Sequence, residues 1–134
     1  MKRKLQILVG EDKMETAAQI IALLSSEFDV IGFVSNGREL IQVALELHPD
    51  VIVSDTSMSM LGGLTAINEL HATGTNIPVV LTSSVFRYIG ISGHPGARVY
   101  VDKSDLAEDL ILAVRAAKSG QFFTSRSIPF HPPR

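Results

Sequence analysis

Short apolar runs alternate with amphipathic stretches along this chain. Leu5 to Val9, Val30 to Val34, Val51-Ile52-Val53, Val79-Val80-Leu81-Thr82 and Val99-Tyr100-Val101 are brief and rich in β-branched residues. Runs of that kind predict strands buried on both faces, the usual state of a parallel sheet. Between them the apolar period changes to that of a helix. Met14, Ala17, Ile20, Ile21, Leu24 and Phe28 predict a helix from about Met14 to Ser26. Leu40, Val43, Ala44 and Leu47 line a second helix, opened by Asn36 with Glu39 three residues on and ended by His48-Pro49. Leu61-Gly62-Gly63 is a turn, and Leu64, Ile67 and Leu70 face inward from a short helix over Leu64 to His71. Leu106, Leu110, Ala113, Val114 and Ala117 form the stripe of a last helix, with Ser104 as its expected cap and Gly120 as its stop. Gly90, Gly93 and Pro95 make the fourth helical segment, within Val85 to Gly96, short or irregular.

Strands alternating with helices define an α/β domain with a parallel sheet and right-handed crossovers. A length of 134 residues suits one domain, expected over residues 1–120. Residues 121–134 read as a short C-terminal tail with no output domain. A net charge of -2 gives no electrostatic case for direct binding of nucleic acid or an anionic membrane. The absence of cysteine excludes thiol catalysis and a disulfide framework. The basic start, Met1-Lys2-Arg3-Lys4, precedes an apolar run too short for a signal peptide or a membrane span. A cytoplasmic protein is expected.

Parallel strands deliver their carboxyl ends to one edge of the sheet, where ligands of open α/β folds bind. Glu11-Asp12 follow the first strand, Asp55 ends the third, Thr82 the fourth, and Lys103 follows the fifth. Three carboxylates close together repel, which implies a hard divalent cation, best Mg²⁺. With Lys103 and the Thr82 hydroxyl nearby, the set supplies an oxygen nucleophile, a metal site and positive charge, the needs of phosphoryl transfer.

The ordered set Glu11-Asp12, Pro49-Asp50-Val51, Asp55, Met58, Gly62-Gly63, Thr82 and Lys103 resembles the receiver domain of bacterial two-component response regulators, the CheY-like superfamily. Gly96 to Tyr100 and Gly120 to Phe123 are similar to the receivers that precede helix-turn-helix output domains. The resemblance implies a flavodoxin-like (βα)5 fold, a doubly wound parallel sheet with strand order 2-1-3-4-5. It implies that Asp55 accepts a phosphoryl group from a phosphohistidine on a sensor histidine kinase. Asp12, Asp55 and the Ser57 backbone carbonyl would hold Mg²⁺, with Glu11 acting through water. Lys103 and Thr82 would contact the phosphoryl group, and Thr82 and Tyr100 would switch together to alter contacts with a downstream protein. On that basis the chain is a signalling phosphoacceptor with incidental autophosphorylation and autodephosphorylation, not an enzyme.

The chain departs from the family pattern at Met58-Ser59, where Met-Pro is usual, and at Ser54, where an apolar residue is usual. The Val85 to Gly96 segment is glycine-rich, which motivates an alternative: a pseudo-receiver interaction module without phosphate-dependent switching. An aspartate phosphatase would need a second acid two residues after the nucleophile, and position 57 is serine. His48, His71, His94 and His131 lack metal-ligand spacing. Tyr100 is expected to be a half-buried aromatic, and homodimerisation is left open.

Overall fold

A computed structural model describes residues 3–90 and 98–129. Six strands form one parallel sheet in the order β2-β1-β3-β4-β5-β6: β1 Gln6–Gly10, β2 Asp29–Val34, β3 Val51–Asp55, β4 Val79–Ser83, β5 Val99–Asp102 and β6 Phe123–Thr124. The helices are α1 Met14–Ser25, α2 Gly37–Leu47, α3 Gly63–Ala72, α4 Phe86–Ile89 and α5 Leu106–Lys118. The expected flavodoxin-like order 2-1-3-4-5 holds, and a sixth strand extends it.

The unbroken burial of β3 and β4 explains why neither run shows polar alternation. Two apolar layers cover the sheet. On one face Ile7, Val9, Val53, Val80 and Val101 meet Ile20 and Leu24 of α1 and Leu110, Ala113 and Val114 of α5. On the other, Leu8, Ile52 and Leu81 meet Leu40 of α2 and Ala66, Ile67 and Leu70 of α3. Leu64, partly buried, packs against this layer as expected, and Ala66 joins Ile67 and Leu70 within it.

The helix ends follow from local chemistry. The Asn36 side chain accepts the Glu39 N–H at 3.0 Å and donates to Glu39 Oε1 at 2.9 Å, a reciprocal cap at the start of α2. The last helix ends as anticipated at Gly120, whose φ of 73° suits glycine. Gly120 N–H bonds the Ala117 carbonyl and Gln121 N–H the Ala116 carbonyl, closing the helix with a left-handed turn.

Three expectations need correction. Ser104 does not cap α5. It lies in a 3₁₀ turn, Lys103–Asp105, and donates its N–H and hydroxyl to Asp102 Oδ1, so Asp102 is the capping acceptor. Tyr100 is buried rather than half-buried, at 3% exposure, because Phe86 meets its ring edge-on at 5.7 Å and Phe122 lies 6.2 Å away. Residues 121–129, expected as a plain extension, contribute β6 and bury Ser125 and Ile128. The expected short fourth helix is a single turn, and the rest of that segment, 91–97, lies outside the described residues. Among the described residues no helix is long and apolar enough to cross a membrane.

At the amino edge Asp50 ties β3 to β1. Its Oδ2 accepts the Gln6 N–H at 2.7 Å, and Arg3 pairs with both carboxylate oxygens. Burial works to raise its pKa, but these bonds outweigh it and hold the carboxyl below its ordinary value. Such a group stabilises the fold above its unfolded pKa, near 3.8, and that stabilisation is lost as pH falls through the lower folded value. Asp50→Ala is expected to cost about 1–2 kcal/mol at neutral pH by urea denaturation. The gap from the unsubstituted chain should narrow progressively below that pH.

Candidate functional site

The parallel register brings the acidic and hydroxyl side chains to one edge. Gly10 of β1 pairs with Ser54 of β3, and Asp55 pairs with Thr82 of β4. Residues paired in a parallel ladder project to the same face, so the Thr82 hydroxyl and the Asp55 carboxylate are neighbours across one strand spacing. Glu11 and Asp12 follow directly on β1, and Lys103 directly on β5.

Lys103 is the centre of the cluster. Its Nζ lies 2.6 Å from Asp55 Oδ2 and 2.7 Å from Glu11 Oε1. Glu11 is fully buried, Asp55 is 5% exposed, and Asp12 is exposed. Carboxylate oxygens of Glu11, Asp12 and Asp55 lie within 4.8 Å of one another. Lys103 pairs with two of these three carboxylates, so with all three ionised the cluster carries a negative excess. Burial pushes the Glu11 pKa up, with the Asp55 charge adding to it, against the bonds from Lys103 and from the Lys13 N–H at 3.1 Å. For Lys103, burial favours the neutral amine, but the bonds to Asp55 and Glu11 win and hold the ammonium above its ordinary value.

The remaining donors are placed by the loops. Ser57 N–H donates to Asp55 Oδ1 at 2.9 Å, which fixes the second carboxylate oxygen. That bond positions the Ser57 amide; the carbonyl of the same residue is the atom the family resemblance implies as a metal donor. The Thr82 hydroxyl is fully buried and has no hydrogen-bond partner among the described residues. An unpartnered buried hydroxyl costs about 1–3 kcal/mol, so the site stores a demand for an acceptor. Met60, in the loop after Asp55, has a φ of 68°, a strained conformation for a non-glycine residue. Asp12 makes no capping bond to α1, whose first residue is preceded by Lys13 without a side-chain cap. Tyr100 lies one register step from Thr82, paired with Leu81, so the expected switch pair sits on adjacent strands.

Two further residues shape the site: Gly63, already in the ordered motif set, and Asp102, which the sequence did not single out. A Cβ on Gly63 would lie 1.8 Å from the Asp55 carbonyl oxygen and 2.7 Å from Ser54 Oγ. Only glycine lets α3 begin this close to the strand that carries Asp55. Ser54 uses its hydroxyl locally, donating to the Asp55 carbonyl at 3.0 Å in a fully buried setting. Asp102 is the other. Its Oδ2 accepts the Arg87 N–H of α4 at 2.8 Å while Oδ1 holds Ser104. The hydrogen bonds from Ser104 and Arg87 outweigh burial and keep its pKa low. An aspartate two residues before a serine at a helix start carries a turn signal that could have identified it.

Residues 7–115 match the model of the response regulator receiver domain, and the chain belongs to that family. A receiver domain of this kind is a signalling module. The chain is 37% identical over 100 residues to a protein-glutamate methylesterase/protein-glutamine glutaminase of Hahella chejuensis, a match covering 73% of this chain and 24% of that protein. It is 31% identical over 132 residues to a nitrate/nitrite response regulator homologue of Haemophilus influenzae, covering 96% and 64% respectively. The chain thus spans about a quarter of the methylesterase relatives it matches. The response regulator domain of Thermotoga maritima CheB superposes with a TM-score of 0.77 at 26% identity, covering 87% of this chain and 98% of that one. The signal receiver domain of the NarL regulator from Mycobacterium tuberculosis shares the fold, with a TM-score of 0.83 at 18% identity, covering 90% and 100%.

Two substitutions probe the site without a ligand. Asp12→Asn removes one exposed charge from a crowded acidic cluster and should stabilise the fold by about 1 kcal/mol in the presence of a chelator, read as a higher melting temperature. Gly63→Ala drives a methyl group into the Asp55 carbonyl and should destabilise by about 2–3 kcal/mol in urea.

Proposed function

We propose that Asp55 is a phosphoacceptor that takes its phosphoryl group from a phosphohistidine on a sensor histidine kinase. The observation that carries the proposal is the pairing of a buried carboxylate with Lys103, next to an unpartnered Thr82 hydroxyl and an acidic cluster with a negative excess. The cluster offers only oxygen donors, closely spaced and undercompensated, which fits a hard divalent cation. Glu11, Asp12 and Asp55 would hold Mg²⁺, with the Ser57 carbonyl as the further donor that the family resemblance implies. Bound there, Mg²⁺ supplies positive charge for the non-bridging oxygens of the transferring group.

The chain's own residues account for the rest of the step. An Asp55 carboxylate oxygen attacks phosphorus, and the P–N bond breaks with its electron pair leaving on the imidazole nitrogen. The product is an acyl phosphate on Asp55. Lys103, already within bonding distance of Oδ2, is positioned to follow the negative charge onto the phosphoryl oxygens. The Ser57 N–H holds the carboxylate oriented during the attack. The Thr82 hydroxyl acquires in the phosphoryl group the acceptor it lacks. Satisfying it shifts the population toward a rearranged β4–α4 surface, with Tyr100 packed beside it, and so changes contacts with a downstream protein.

A second reading, an interaction module without phosphate-dependent switching, draws on the reduction of α4 to one turn. The two readings separate in one experiment. Incubation with acetyl phosphate and Mg²⁺ should add the mass of one phosphoryl group, and Asp55→Asn and chelation should each abolish it. Lys103→Ala should slow the transfer by about a hundredfold or more. No mass gain in the unsubstituted chain would leave the interaction module as the better account.

A further inference from the structure

Residues 121–129 leave α5 through the Gly120 turn and lie along the outer edge of β5. The Phe123 N–H donates to the Arg98 carbonyl at 3.0 Å, and the Ser125 N–H to the Tyr100 carbonyl at 3.0 Å. The Asp102 N–H donates in return to Ser125 Oγ at 3.2 Å, and the Ser127 hydroxyl donates to Asp105. Phe123 packs against the apolar layer of α1 and α5, whereas Ile128 is buried in the opposite layer with Phe86 and Tyr100. The segment is therefore anchored on both faces of the sheet. Its far end reaches α4: the Pro129 carbonyl lies 3.1 Å from the position of a Cβ on Gly90.

These anchors fall on the residues that stand between Asp55 and the surface. Asp102 precedes Lys103 and joins three parts, accepting the Arg87 N–H of α4 and both donors of Ser104, and donating to Ser125. Thr82 is the β4 neighbour of Asp55 and pairs with Val101, between Tyr100 and Asp102. Ser83 follows it in β4, pairs with Asp102 and is buried, so a shift of Thr82 toward an acceptor on Asp55 would be passed to Ser83. Ser83 Oγ in turn accepts the Val85 N–H at the start of α4. A displacement of α4 pulls the Arg87 N–H from Asp102 and removes the floor on which Ile128 and Pro129 rest.

The geometry points to residues 121–129 as an intramolecular strap that holds the α4–β5 face closed and is released by phosphorylation of Asp55. The inference rests on the phosphoacceptor reading and adds its regulation. Because coupling is reciprocal, a docked strap also opposes the phosphorylated state. Covering the β5 edge removes an open row of backbone donors and acceptors, so release uncovers a surface that a partner can pair with.

The test is amide hydrogen exchange at Phe123 and Ser125 in the full chain, with and without Mg²⁺ and beryllofluoride, with beryllofluoride binding followed separately by fluorine NMR. Binding should be seen, and both amides should then exchange at least about fivefold faster. Phe123→Pro, which deletes the donor to Arg98, should bind beryllofluoride at least about fivefold more tightly. Ser127→Ala, which leaves the backbone intact, should act in the same direction by a smaller factor. Bound beryllofluoride with unchanged or slower exchange would overturn the strap while leaving Asp55 as acceptor. Failure of beryllofluoride to bind at all would overturn both.

Discussion

One ammonium shared between two buried carboxylates governs this domain. Lys103 reaches Glu11 and Asp55 at once, and with Asp12 beside them the edge of the sheet carries more negative charge than it can balance. Charges taken out of water must be paired or they destabilise the fold. The parallel sheet is what makes the pairing geometrically available, since β1, β3 and β5 bring their carboxyl ends to one edge although their residues lie far apart in the chain. Apolar layers pack both faces of the strands whose ends make the contacts of 2.6 and 2.7 Å. That charge deficit at the strand ends is what we propose a divalent cation and a phosphoryl group answer.

From that centre the connections run outward in a short chain of contacts. Thr82 has a buried hydroxyl in need of an acceptor, and it sits in register between Asp55 on one side and Val101 on the other. Asp102 gathers α4, the turn after Lys103 and Ser125. Tyr100 is packed between Phe86 of α4 and Phe122 of the segment after α5. A change at Asp55 thus meets two-sided contacts rather than open solvent, and packed contacts rearrange in discrete steps.

The main architecture was legible in the residues because it rests on signals longer than a turn. Five apolar runs and four clear helical stripes predicted the alternating strands and helices of a parallel sheet, the family resemblance supplied the strand order, and the acids and lysine at strand ends predicted the cluster. Ser104 misled because a serine before a helix is an ordinary cap, whereas a 3₁₀ turn intervenes here and Asp102 caps that turn. Strand β6 was invisible for a different reason. Two residues show no period, and their pairing depends on where α5 happens to end. The closeness of Gly63 to Asp55 was equally hidden, because a glycine in a turn does not reveal which backbone passes over it. Burial of Tyr100 was underestimated since its cover comes from Phe86 and from the segment after α5.

We propose that Mg²⁺ relieves the charge imbalance at the acidic edge, where a single lysine pairs with two of three clustered carboxylates. Melting temperature as a function of added Mg²⁺ measures this most directly, because a ligand that binds only the folded chain stabilises it by mass action. The melting temperature should keep rising logarithmically above the dissociation constant in the unsubstituted chain, and stay flat in Asp12→Asn from a higher starting point. A flat response in the unsubstituted chain, or an equal rise in Asp12→Asn, would contradict it.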